Sequence, residues 1–226
     1  VGLLSGCVMS VMFADLNEAT IRVLRRNGCE VVVPRGQTCC AALNLHSGER
    51  EQARAMARQN IDAFLAAGVD AVVINAAGCG TASKEYGVLF RDDPAYVEKA
   101  RRYSRLCRDV TEFLAELGLV GRLGEVRARI TYQDPCHLAH GQGIRRQPRD
   151  LLRRIPGIEL VEMAGADRCC GSAGIYNLTQ PGYSRQVLEE KIEGGIELAA
   201  LARNAANQFQ EVITLSPSLS EDLKVA

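Results

Sequence analysis

The clearest indication of the fold is the segment Val69-Asp-Ala-Val-Val-Ile-Asn-Ala-Ala-Gly-Cys-Gly80. Its first six residues, Val69–Ile74, predict a strand, and the unbroken apolar end of that strand is typical of a parallel sheet buried on both faces. An amphipathic helix, Glu49–Ala67, precedes the strand and ends at Gly68. A cysteine between two glycines, Cys79, follows it. The stretch therefore predicts an α/β protein with a thiol at the carboxyl end of a buried strand.

The same order of cysteines occurs twice along the chain. In each half a short apolar segment leads into a single cysteine, and an adjacent pair of cysteines follows later: Cys7 with Cys39-Cys40, and Cys136 with Cys169-Cys170. Between the single cysteine and the pair lie 31 residues in the first half and 32 in the second. A spacing repeated this closely indicates an internal duplication.

The duplication predicts two similar parallel-sheet, Rossmann-like α/β domains. We expect the first cysteine-rich domain over residues 1–122 and the second over 123–226, with the part after about residue 193 departing from the pattern. Within the first domain the pattern also predicts a short strand over Glu30–Val33 and a single long helix over Val97–Leu117.

Composition limits the classes of function. The chain has 226 residues, 47% of them hydrophobic and 24% charged, with a formal net charge of zero. Such a balance is ordinary for a globular protein and offers no electrostatic basis for binding nucleic acid. No apolar run approaches the roughly 20 residues that span a bilayer, and no secretory leader is recognisable. The missing initiator Met is consistent with a fragment.

Nine cysteines carry the chemistry. A chain without signs of secretion is expected to use clustered cysteines for metal binding or redox chemistry rather than for disulfides. Thiolates prefer zinc, copper(I) or iron–sulfur clusters. The first half offers four candidate ligands and the second half three, and no fourth ligand is evident there: Cys7, Cys39, Cys40 and Cys79; Cys136, Cys169 and Cys170.

The remaining candidates have simpler interpretations. Cys29 and Cys107 have no counterparts in the other half, which favours a structural role. His137 and His140 flank Cys136, where hydrogen bonding to a metal site and a surface role are equally consistent with the pattern. The helix Glu49–Ala67 is interpreted as core packing.

Four stretches resemble a known family: Val32–Cys40, Val73–Gly80, Asp134–Ile144 and Cys169–Pro181. They are similar to the duplicated cysteine-rich "CCG" domain of the glycolate oxidase (glycolate dehydrogenase) iron–sulfur subunit. Lactate-utilisation iron–sulfur proteins and the cysteine-rich subunit of heterodisulfide reductase carry the same domain. The resemblance runs from about Val1 to Ile192.

The resemblance implies that the seven cysteines named above hold iron–sulfur clusters of the 4Fe–4S type, cubane or non-cubane, with zinc as the alternative. It departs from the family at Ala76, where the family has a cysteine, and at Val212–Leu219, which lacks one. No glycine fingerprint for a dinucleotide is present, so neither a cofactor-binding nor a catalytic residue is predicted.

The function implied is electron transfer within a glycolate (2-hydroxy acid) dehydrogenase complex, relaying electrons from flavin-containing glycolate oxidase subunits. The implied location is the cytoplasm, either free or peripheral at the inner face of the cell membrane beside a membrane electron acceptor. Two alternatives stay open: a thiol/disulfide redox protein similar to the lactate-utilisation or heterodisulfide reductase proteins, and a zinc-stabilised interaction module.

Overall fold

The computed structural model describes the backbone of residues 1–200 and the side chains of residues 1–192. The chain divides into two compact units, the first from Val1 to Gly121 and the second from Arg122 onward. Helices and parallel sheets make up both units, which confirms the predicted α/β class. In the described part of the chain, no helix combines the length and the apolar character needed to cross a bilayer.

The first unit is built on a three-stranded parallel sheet in the order β1-β2-β3. The strands are β1 (Gly2–Leu4), β2 (Val72–Ile74) and β3 (Cys107–Asp109), with Gly2 paired to Val72 and Val72 to Cys107. Eight helices accompany the sheet: α1 (Cys7–Met12), α2 (Ala14–Arg26), α3 (Ala42–His46), α4 (Arg50–Ala66), α5 (Ala77–Lys84), α6 (Tyr86–Leu89), α7 (Val97–Leu106) and α8 (Val110–Leu117).

Both faces of this sheet are covered, as the apolar end of the predicted strand indicates. Leu4, Val72 and Ile74 belong to a cluster with Phe64 of α4, whereas the neighbouring positions Leu3 and Val73 pack with Leu24 of α2. Beneath the first face two buried rings, Tyr86 and Tyr103, stack with centroids 5.4 Å apart. The central strand, whose carboxyl end leads to Cys79, is therefore packed on both faces.

Two predicted elements are wrong in form. The single helix expected over Val97–Leu117 is interrupted by β3, because Cys107–Asp109 pairs with β2 and Asp109 then caps α8 with a capping box to Glu112. The strand expected over Glu30–Val33 is reduced to one bridge between Val32 and Gly2. Pro34, which has no backbone N–H, directly follows it.

The second unit contains a two-stranded parallel sheet of β4 (Ala128–Tyr132) and β5 (Ile158–Glu162). The described helices are a π-helix (His137–Gly141), α9 (Arg146–Arg153), α10 (Tyr176–Thr179) and α11 (Pro181–Ala200). The cysteine-free segment Val212–Leu219 lies outside the described residues.

Candidate metal centre

The loops that leave the carboxyl ends of β1 and β2 carry two of the predicted ligands. Cys7 is the first residue of α1, reached from β1 through Ser5 and Gly6. Cys79 is the third residue of α5, which begins after β2. Because parallel strands end at the same edge of a sheet, both thiols lie at one rim of the first unit.

The adjacent pair Cys39-Cys40, called the first pair below, completes a group of four thiols at this rim. The Sγ atoms of Cys7 and Cys39 are 3.3 Å apart. The thiols of Cys39 and Cys40, and those of Cys40 and Cys79, are also close enough to alter one another's pKa values. The structure therefore brings together all four cysteines predicted for the first half. We call them the four-thiol cluster.

Hydrogen bonding within the cluster changes the pKa values of its thiols. The pKa of Cys39 is raised because its thiol donates to Cys40, with partial burial adding to the effect. Accepting from Cys39 lowers the pKa of Cys40, but donation to Cys79 and burial outweigh this and raise it to about 12. The pKa of Cys79 is lowered, above all because its sulfur accepts from Cys40. Cys79 is thus the thiol most readily ionised, and a thiolate is the form that binds metal.

Both cysteine pairs share a local backbone arrangement. After the first pair, Ala41 has a φ of +61° and its N–H donates to Cys39 Sγ over 3.4 Å. After the second pair, Cys169-Cys170, Gly171 has a φ of +81° and its N–H donates to Cys169 Sγ over 3.4 Å. Both residues are in the left-handed region, which glycine adopts easily and alanine does not. Ala41 therefore adopts the same left-handed backbone conformation as Gly171 although it carries a Cβ.

Two buried polar side chains, absent from the sequence-based candidates, contact the first pair from the core. Asn60 of α4 accepts from the Thr38 N–H over 2.7 Å and donates to the Cys39 carbonyl over 3.0 Å. The Tyr86 hydroxyl donates to the Cys40 carbonyl over 2.9 Å. The interpretation of α4 as core packing alone was incomplete. An asparagine in line with Ala53, Ala57, Ile61 and Phe64 was the available signal.

A second polar network, also missed from the sequence, ties the loops of Cys7 and Cys79 together. Asn17 donates to the Ser5 carbonyl over 2.9 Å, and Asn75 donates to Asn17 Oδ1 over 2.9 Å. Gln37, two residues before the first pair, accepts from the Ser5 N–H over 2.8 Å. These bonds link all three loops that carry the four-thiol cluster, in the way that outer partners orient metal ligands.

The second unit brings its cysteine-bearing loops together through a backbone hydrogen bond. The Asp134 N–H, just before Cys136, donates to the Ala166 carbonyl, just before the second pair, over 3.1 Å. Cys136 Sγ lies 3.6 Å from His137 Nδ1. Among the residues that the structure describes, no sulfur–sulfur hydrogen bond joins Cys136 to Cys169 or Cys170.

Histidine and arginine side chains support these loops. A guanidinium can only donate, so His140 Nδ1 accepts from Arg145, and Nε2 therefore carries the hydrogen donated to the Asp167 carbonyl. Arg149 forms two 2.7 Å bonds to the Asp134 carboxylate, whose side chain is only 6% exposed. The loop that leads to Cys136 is thereby held to α9.

The remaining two cysteines lie apart from the four-thiol cluster. Cys107 is fully buried in β3, where its thiol donates to the Tyr103 carbonyl over 3.3 Å. Cys29 is partly exposed and lines a cavity of about 570 Å³ together with Val69 and Phe113. Neither takes part in the hydrogen bonds that link the cluster.

The donor set fits a metal that prefers sulfur. In the described residues, no group of three or more His, Cys, Asp or Glu side chains is arranged so that it could hold a single metal ion. The four thiols of the cluster nevertheless meet from separate loops, and their burial ranges from the exposed Cys7 to Cys40 at 3% exposure. Four thiolates suit either an iron–sulfur cluster or tetrahedral zinc. Fold and site together define a cysteine-rich α/β domain with thiols gathered at the strand ends.

Comparison with known proteins gives this class its name. The family described as "CCG: Cysteine-rich domain" matches residues 1–82 and 130–208, which is more than half of the chain. The chain belongs to this CCG cysteine-rich domain family. The resemblance drawn from the motifs is confirmed, and the two matched segments show that the domain occurs twice.

Three relatives illustrate the similarity. The chain is 43% identical over 194 residues to a probable glycolate oxidase iron–sulfur subunit of Bacillus subtilis, covering 85% of this chain and 44% of that protein. It is 36% identical to the glycolate oxidase iron–sulfur subunit of Escherichia coli, covering 84% and 47%. It is 34% identical to lactate utilization protein A of Geobacillus thermodenitrificans, covering 85% and 80%. The chain thus spans less than half the length of the two glycolate oxidase subunits.

Proposed function

We propose that this chain is the electron-transferring, cysteine-rich part of an iron–sulfur subunit in a glycolate (2-hydroxy acid) dehydrogenase complex. It relays electrons from flavin-containing partner subunits, which perform the oxidation. The observation that carries the proposal is the four-thiol cluster, where sulfur atoms from three separate loops meet at one rim of the sheet. The names of the relatives supply the glycolate and lactate chemistry.

In this proposal Cys7, Cys39, Cys40 and Cys79 hold a 4Fe–4S cluster in the first domain. The cluster accepts and releases single electrons, and the N–H bond to Cys39 Sγ stabilises negative charge on that sulfur. The exposure of Cys7 supports a cluster that lies near the surface, where a partner can exchange electrons with it.

We further propose two Rossmann-like domains related by duplication, over 1–122 and 123–226. The matching geometry of the two cysteine pairs supports this relation. Cys136, Cys169 and Cys170 are the proposed metal ligands of the second domain. The protein acts in the cytoplasm or peripherally at the membrane, beside its electron acceptor.

Metal analysis tests the proposal. The whole chain is purified without oxygen, and iron, acid-labile sulfide and zinc are quantified. We expect about four irons for the first domain, and Cys40→Ser to remove most of them. Cys107→Ala is the matched control, because Cys107 is equally buried in the same unit but lies outside the cluster. Equal iron loss in both variants, or no iron and sulfide in the unaltered chain, contradicts the proposal.

The electron-relay role is tested in the complex with flavin-containing subunits. Glycolate is added under argon, and reduction of the cluster is followed by electron paramagnetic resonance. We expect glycolate to produce the reduced signal only when the flavin subunits are present. A signal that appears without them, or none at all in the complete complex, contradicts the relay.

A zinc-stabilised module is the second candidate, and one distance favours it. In tetrahedral zinc sites with bonds of about 2.3 Å, the sulfur atoms lie about 3.8 Å apart. The Sγ atoms of Cys7 and Cys39 are 3.3 Å apart, so a movement of about 0.5 Å would bring them to the spacing of two zinc ligands. Stoichiometric zinc without acid-labile sulfide, in the same metal analysis, would establish this function instead.

A further inference from the structure

Asn60 and Tyr86 lie beneath the first pair, and neither exposes any surface to solvent. Buried polar groups are unfavourable unless they form hydrogen bonds. Here the donors of both side chains are directed to main-chain carbonyls of consecutive residues, Cys39 and Cys40. Asn60 Nδ2 also lies 3.4 Å from the Tyr86 hydroxyl, so the two side chains form one connected group.

These contacts determine the orientation of two successive peptide groups. Bonds from the core hold the carbonyls of Cys39 and Cys40, and the Ala41 N–H is bonded to Cys39 Sγ. With the peptide planes held, the directions of the two Cα–Cβ bonds are held as well. The positions of both thiols relative to Cys7 and Cys79 then depend on α4 and α6, which supply the two side chains.

We infer that Asn60 and Tyr86 are positioning residues for the metal ligands of the first pair. The inference rests on the proposed function, since it takes the four-thiol cluster to be a metal centre. Neither side chain contacts a thiol in the hydrogen-bond network, so their action is through the backbone. A metal site whose ligands are less well oriented releases its metal more readily and has altered electronic properties.

The chain supplies a matched pair of tyrosines for the test. Tyr86 and Tyr103 stack on each other and are both fully buried. The Tyr86 hydroxyl donates to the Cys40 carbonyl, whereas no hydrogen bond joins the Tyr103 hydroxyl to either residue of the first pair. Tyr86→Phe and Tyr103→Phe therefore remove the same atom from similar surroundings, but only the first removes a bond to the pair.

The experiment compares the whole chain with both variants after anaerobic reconstitution with iron and sulfide. Release of iron to a chelator and the electron paramagnetic resonance spectrum of the reduced cluster are measured at equal iron content. We expect Tyr86→Phe to speed release by about fivefold, the effect of one hydrogen bond, and to shift the spectrum. Tyr103→Phe should leave both unchanged. Asn60→Ala should act in the same direction as Tyr86→Phe.

The outcomes separate this inference from the proposed function. If the unaltered chain assembles an iron–sulfur cluster and the two tyrosine variants behave alike, positioning is refuted and the proposed function stands. If the chain takes zinc instead, the same comparison is made on zinc release, and a faster release from Tyr86→Phe alone supports positioning while the iron–sulfur proposal fails. A chain that binds neither metal refutes both. Thermal unfolding of the metal-free variants identifies any loss due to misfolding.

Discussion

Gly171, which follows the second cysteine pair, occupies a position that no other residue should tolerate. Its φ is +81°, and a Cβ added there would lie 2.3 Å from the Ser184 backbone oxygen and 3.0 Å from the Ser184 hydroxyl. That hydroxyl also donates to the Gly171 carbonyl over 2.9 Å. We therefore expect Gly171→Ala to separate the loop of the second pair from α11.

The magnitude follows from three contributions. Alanine in the left-handed region is disfavoured by about 1–2 kcal/mol, and forcing an extra carbon into a filled space costs about 1–3 kcal/mol. The lower entropy of alanine in the unfolded chain offsets about 0.4–1 kcal/mol. The net loss in the free energy of unfolding is about 3 kcal/mol, equivalent to a change of roughly a hundredfold in the opening equilibrium of the second unit.

Native-state amide hydrogen exchange, read on peptides from residues 122–192, measures this opening in one unit at a time. Gly182→Ala is the control: Gly182 lies in α11 with no atom near an added Cβ, so this change should be neutral or stabilise by about 0.5–1 kcal/mol. If the free energy of opening of the second unit differs by less than about 0.5 kcal/mol between Gly171→Ala and the unaltered chain, the argument from left-handed strain and steric overlap is refuted.

Three further predictions concern other contacts. Arg149→Lys, which cannot form both bonds to the Asp134 carboxylate, should lower the free energy of unfolding by about 2 kcal/mol in urea titrations, and no loss would refute the importance of that ion pair. Ala41→Gly, which removes left-handed strain but adds unfolded-state entropy, should be neutral or stabilise by up to about 1 kcal/mol in the same assay. The metal-free chain should lose stability as pH rises from about 9 towards 12. Burial raises the pKa of Cys107 to about 12, and hydrogen bonding to Cys79 together with burial raises the pKa of Cys40 to about 12. The folded state therefore keeps protons that the unfolded state has already released, and this difference favours unfolding. Chemical unfolding under reducing conditions at several pH values measures this slope, and stability that rises with pH would contradict it.

The convergence of the four thiols in the first unit could be predicted because neighbouring residues in the sequence mark where each cysteine lies relative to a strand. Cys79 follows an apolar strand bounded by glycine, and the pairs are adjacent in the chain, so a simple rule about parallel strands was enough to bring four thiols together. Strand β3 could not be found in this way. Its residues, Cys107, Arg108 and Asp109, have no strand-like pattern of their own, and they become a strand only by pairing with β2.

The polar supports of the site escaped prediction for the same reason. Asn60, Gln37 and Asn75 are ordinary residues in sequence, and their roles depend on carbonyls and N–H groups that the fold brings to them. Burial of an asparagine on the apolar face of α4 was a signal, but it did not specify a partner. The left-handed Ala41 likewise reveals its role only once its φ and its bond to sulfur are known.

The parallel pairing of β1 with β2 joins Gly2 to Val72, so most of the first unit must be made before these strands can meet. Loop closure over such a separation slows folding. During synthesis, Cys7 therefore leaves the ribosome well before its partner thiol Cys79 exists. We expect metal insertion to wait for the completed sheet, which makes acquisition of the inorganic centre a reporter of finished folding.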